Sequence, residues 1–96
     1  MYNIHLHNFE GPIDLLLYFI RRDELDIYDI PIAKITKEFV GTVEQWERMH
    51  LHVAGDFIVM ASTLMRIKAR LLLPRPELDD VGDIIDPRTE LVQQLV

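Results

Sequence analysis

Two histidine pairs, His5-x-His7 and His50-x-His52, come closest to metal chemistry in this chain. Imidazole is a common zinc ligand, and positions i and i+2 of a strand face the same side. Four imidazoles converge only in one specific tertiary arrangement, however, and no His-Glu-x-x-His or His/Cys signature accompanies them. We read them as ordinary strand and turn histidines, with no metal and no other cofactor. The carboxylates Asp23, Glu24, Asp26 and Asp29 cluster as a general acid and base must, but a solvated connector has the same composition. No nucleophile, oxyanion donor or glycine-rich phosphate cradle lies near them, and Ser62 and Thr63 have no neighbouring histidine. Neither an enzyme nor a small-molecule substrate is expected. Arg66, Arg70 and Arg75 form a small basic patch, which we assign to the negative end of a helix ahead of contact with DNA. Lys68 projects between two apolar stripes, where it either meets a partner carboxylate or lays its stem along apolar surface without one.

These side chains need a frame, and 96 residues supply one domain at most. A chain this short buries only about 60–65% of its unfolded surface. With 49% hydrophobic and 27% charged residues it is globular in composition, and without cysteine it has neither disulfides nor thiolate metal sites. No positive n-region precedes an apolar stretch, and no window approaches the roughly 18 apolar residues of a membrane span. We therefore expect a cytoplasmic protein. The net charge of −6 is concentrated in residues 77–86, which carry Glu77, Asp79, Asp80, Asp83 and Asp86 and no base. A DNA-binding domain shows a basic surplus on one face, and none is present.

The expected class is mainly α: a small three-helix domain over residues 1–76 with a short N-terminal strand or arm. An acidic linker over 77–86 and the start of a further helix over 87–96 follow. Tyr2, Ile4 and Leu6 alternate with polar residues at the period of a strand. Gly11-Pro12 with Asp14 opens a first helix to about Arg22 whose apolar residues run all round: Ile13, Leu16, Leu17 and Ile20 on one side, and Leu15, Tyr18 and Phe19 on the other. A second helix runs from near Pro31 to about Met49 or His50, with Asp29 close enough to cap it. Its stripe is Ile32, Ile35, Phe39, Val43 and Trp46, and Gly41 falls on the wet side. The third, Val53 to Leu73, carries two stripes. One is Val53, Met60, Leu64, Ile67 and Leu71; the other, Ala54, Ile58, Ala61, Met65 and Leu72, lies about 120° further round. One helical hairpin cannot cover both. Beyond Pro74 and Pro76, a helix opening at Asp86-Pro87 carries Leu91, Val92, Leu95 and Val96 with nothing local to pack on. We expect it to be ordered only against a partner.

Three motifs in order, Phe9-Glu10-Gly11-Pro12-Ile13-Asp14-Leu15-Leu16-Leu17, Leu25-Asp26-Ile27-Tyr28-Asp29-Ile30-Pro31-Ile32, and Phe57 to Ala61 running on to Ile67-Lys68-Ala69-Arg70-Leu71-Leu72-Leu73-Pro74, resemble the N-terminal domain of the segregation and condensation protein A family. These are the bacterial kleisins. The resemblance covers residues 4 to about 76 and implies a non-catalytic subunit acting in chromosome condensation and segregation. It implies a domain that binds the coiled-coil neck of an SMC (structural maintenance of chromosomes) ATPase, and DNA met only indirectly through that complex on the nucleoid. Carried over by position, the neck-facing residues are Ile58, Ala61, Met65, Lys68 and Leu72, with Leu64 at the margin. The segment from Asp86 then corresponds to the approach to a region that wraps a dimer of segregation and condensation protein B, with Leu91, Val92 and Leu95 as its contacts. The chain is on this view an N-terminal fragment of a longer protein. The alternative class is a self-contained helical DNA-binding domain.

Overall fold

The structure, a computed structural model, describes residues 9–96. The expected strand over Tyr2, Ile4 and Leu6, with His5 and His7, lies outside the described residues. The helices are α1 (Pro12–Arg22), α2 (Ile32–Arg48), α3 (Gly55–Leu71) and α4 (Thr89–Leu95), with a 3₁₀ turn at Ile27–Asp29 between α1 and α2.

Pro12 opens α1, and Asp14 Oδ2 accepts from the Glu10 N–H at 3.3 Å, so the acid both caps the entering chain and complements the helix dipole. Gly11 is extended, with φ at 179°, so its backbone demands no glycine. Leu15, Leu16, Phe19 and Ile20 are buried, and Ile13, Leu17 and Tyr18 are half-buried against them, as expected for a helix lying between neighbours. At its end Leu25 N–H donates to the Ile20 carbonyl at 2.9 Å, with Glu24 at a φ of 53°. This is the Schellman stop that glycine usually serves. The end of α2 repeats it: Leu51 N–H donates to the Trp46 carbonyl at 3.0 Å, and His50 has a φ of 62°. His50 thus terminates a helix, and it and His52 are exposed.

The stripe of α2 is buried as its spacing predicts, together with Thr36 and Thr42. Thr36 Oγ1 donates to the Leu64 carbonyl at 3.5 Å, which satisfies a buried hydroxyl and ties α2 to α3. Phe57 links the same two helices, stacked on Phe39 at 6.3 Å and meeting the edge of Trp46 at 5.7 Å. The expected Asp29 cap on α2 is not made. Pro31 occupies the cap position, and the Asp29 carboxylate receives Arg88 instead.

The expected open tail is corrected most. Residues 77–85 form a hairpin: Leu78 bridges Ile84, Ile85 N–H donates to the Glu77 carbonyl at 2.7 Å, and Asp79 Oδ1 accepts from Val81 and Asp83 N–H at 2.9 Å each. Gly82, with a φ of 90°, supplies the turn conformation that other residues resist. Beyond it α4 packs on α1 and the 3₁₀ turn, where Leu91 is 3% and Leu95 6% exposed. The physical reason lies in α1, whose apolar surface extends round both sides and needs a second cover. A seven-residue helix is unstable alone, but burying two leucines on that surface holds it.

Candidate functional site

The third helix is buried on one side only. Phe57, Met60, Leu64 and Ile67 are in the core, whereas Ile58, Met65 and Leu72 are 43%, 48% and 74% exposed. At about 100° per residue, Ile58, Ser62, Met65, Ala69 and Leu72 fall within about 80° of one another. Ser62 and Ala69 are exposed too, so the outer face is one continuous strip. Its spacing of i, i+4, i+7, i+11 and i+14 holds Ile58, Met65 and Leu72 in a seven-residue repeat with small residues between, the register in which one helix packs along another.

Of the expected site residues, the structure brings Ile58, Met65 and Leu72 together on this strip. Lys68 lies half-buried at its edge. Ala61, 8% exposed, and Leu64, fully buried, are corrected to the core, because their angular positions turn them toward α2. Leu71, expected in the core stripe, is 42% exposed at the last residue of α3. Ser62 and Ala69 were missed by the sequence reading, which took Ala54 and Ala61 as the small members of this face. The signal for them was their helical phase, midway between Ile58, Met65 and Leu72.

Comparison with known proteins places the chain in a family. The family model for Segregation and condensation protein ScpA matches residues 19–96. The chain belongs to this family. Among curated relatives named Segregation and condensation protein A, it is 51% identical to that of Lactobacillus johnsonii over 94 residues, 97% of this chain and 38% of the relative. It is 48% identical to that of Brevibacillus brevis over 102 aligned residues, 99% of this chain and 40% of the relative. With that of Oceanobacillus iheyensis it shares 46% over 98 residues, 99% and 39% of the two chains. This ScpA-family chain therefore spans about two fifths of the length of the relatives it matches.

On the flank of α3 next to the strip, a cleft of about 710 Å³ separates the helix from the tail. Val59, Thr63, Arg66 and Arg70 form one wall and Asp79, Ile84 and Glu90 the other, with Met60, Ile67 and Leu91 beneath. Arg70 crosses it, donating from Nε to Glu77 Oε1 at 2.7 Å and from an η nitrogen to Oε2 at 3.2 Å. That two-pronged pair holds the Glu77 carboxyl below its ordinary range and raises Arg70. The basic patch of Arg66, Arg70 and Arg75 is therefore partly neutralised by the chain itself, which weakens any case for phosphate contact in this ScpA-family domain. Among the described residues no three His, Cys, Asp or Glu side chains gather as a metal site, and no helix is long and apolar enough to cross a membrane.

Proposed function

We propose that this chain is the part of a chromosome segregation and condensation subunit that grips the coiled-coil neck of an SMC ATPase through the outer face of α3. The observation that carries this is the exposed strip Ile58, Ser62, Met65, Ala69 and Leu72. A seven-residue apolar repeat left uncovered on a rigid helix is what a coiled coil presents to a further strand. Lys68 at the edge is placed to meet a partner carboxylate once its stem is covered. The role is mechanical: the domain holds the neck while the ATPase does the chemistry, and DNA is met through the assembled complex, in the cytoplasm on the nucleoid.

Association with the dimer of segregation and condensation protein B, proposed on the same family grounds, cannot use Leu91 and Leu95 while α4 is docked, since both are in this domain's core. Val92 is half-buried beside them. Such contact must fall on the outer side of α4 or on chain beyond it. The test of the main proposal is co-purification of the chain with an SMC head-and-neck fragment. Capture of the wild type and loss on Met65→Glu is the expected outcome, and a headless neck that binds equally well places the contact on the coiled coil.

A further inference from the structure

We propose that the hairpin of residues 77–85 is a second contact arm for the helical partner covering α3, presenting Leu78, Val81 and Ile84 to a helix that carries lysine or arginine beside its apolar stripe. This rests on the α3 strip being the partner-facing surface.

Leu78, Val81 and Ile84 are 58%, 81% and 69% exposed and stand together on one short hairpin. The hairpin is held by its own hydrogen bonds, so these side chains stand out from a pre-organised backbone. Pre-organisation lowers the entropic cost of binding. The arm is also fixed in place. The Arg70–Glu77 pair fastens its first residue to the last turn of α3, two positions before Leu72. Asp79 and Ile84 line the cleft opposite Arg66 and Arg70, about 80–120° round α3 from the centre of the strip, so the arm stands beside the strip and not behind it. A coiled coil lying along Ile58, Met65 and Leu72 passes with its flank toward this arm.

Charge selects the partner. Glu77 is taken up by Arg70, Asp86 by Arg88 and Asp79 by the turn, which leaves Asp80 and Asp83 exposed with no ion pair among the described residues. With no base in residues 77–86, the arm repels nucleic acid and suits a basic helix flank.

The test measures affinity of the chain for an SMC head-and-neck fragment across a salt series. Val81→Asp with Ile84→Asp is expected to weaken binding by about tenfold or more at an unchanged helical signal. Asp80→Asn with Asp83→Asn is expected to flatten the salt dependence. If the aspartates loosen the hairpin, Val81→Ser with Ile84→Ser repeats the measurement without adding charge. Unchanged affinity and salt dependence in the arm variants, with Met65→Glu still abolishing binding, overturns the arm and leaves the α3 strip standing. Weakening by the arm variants while Met65→Glu binds normally overturns the strip, and with it the arm as a second contact beside it. If neither set matters, both fall.

Discussion

Arg88 donates to Asp29 Oδ1 at 3.0 Å and to the Ile30 carbonyl at 2.9 Å, joining the start of α4 to the 3₁₀ turn 59 residues earlier in the chain. Asp86, paired with the same guanidinium at 3.0 Å, keeps that fork aimed, and the pairing holds the Asp86 carboxyl below its ordinary range. Few other polar contacts hold the tail, so this junction adds to the burial of Leu91 and Leu95 in keeping the helix that covers the second side of α1 docked.

Arg88→Ala should therefore release α4. Charge-assisted hydrogen bonds contribute about 1.5–3 kcal/mol each when sheltered and less when wet; with the Arg88 side chain 21% exposed, a total loss of about 1–2 kcal/mol is expected. Hydrogen exchange reads the result directly. Amides of residues 89–95 should lose protection while those in the middle of α2 keep theirs; equal protection throughout would show that Leu91 and Leu95 hold the helix alone.

Leu16 and Met65 should behave as opposites. Leu16 is fully buried, so its truncation to alanine leaves a cavity and is expected to cost about 2–5 kcal/mol in a denaturant titration. Met65 is 48% exposed, and Met65→Glu should change stability by no more than about 0.5 kcal/mol while removing partner binding. Loss of binding by a stably folded Leu16→Ala protein would transfer the interface to α1.

How far the sequence alone reaches can be followed along α3. The common outer face of Ile58, Met65 and Leu72 follows from a 3.6-residue period that any helix must obey, whereas the expected bounds, Val53 to Leu73, shorten to Gly55–Leu71. Ala61 was misplaced because an alanine near the edge of a stripe is compatible with either face, and only the position of α2 decides. The tail was illegible for a related reason. Leu91 and Leu95 announce an apolar face, but its cover, α1 and the 3₁₀ turn, is about 60 to 80 residues away in sequence and leaves no local mark. The segment 77–86 was expected as an acidic linker, because the pairing of Glu77 with Arg70 and the bridge between Leu78 and Ile84 exist only once the chain has folded.

Three backbone positions offer stabilisation without touching the strip. A Cβ added at Gly41 meets nothing within 4 Å, so Gly41→Ala in the interior of α2 should add about 1 kcal/mol through helix propensity alone. For a domain of this size that corresponds to a rise of about 4–8 °C in Tm. Glu24→Gly and His50→Gly relieve the left-handed strain at φ values of 53° and 62°, each by up to about 1 kcal/mol. A fall in Tm at His50→Gly would mean that its imidazole has a contact worth more than the strain.

The last prediction concerns acid. Asp23 closes α1 and sits between two cations, with Arg22 donating to its carboxylate at 2.9 Å and Lys34 Nζ at 3.2 Å. These bonds, that to Arg22 foremost, lower its pKa from 3.8 to about 2. Because the folded value lies below the unfolded one, the native state binds the proton less readily. The cluster's contribution is complete above about pH 4 and disappears as pH falls toward 2. Arg22 also pairs with Glu38 and lies over the Phe19 ring at 5.2 Å, so protonating Asp23 loosens a junction between α1 and α2 and not an isolated surface pair. Carboxyl chemical shifts followed from pH 6 to pH 1.5 should show Asp23 titrating well below 3.8. In Lys34→Ala its midpoint should rise toward 3.8 without reaching it, since Arg22 remains; a wild-type midpoint already at 3.8 would show that the cluster is not formed in solution.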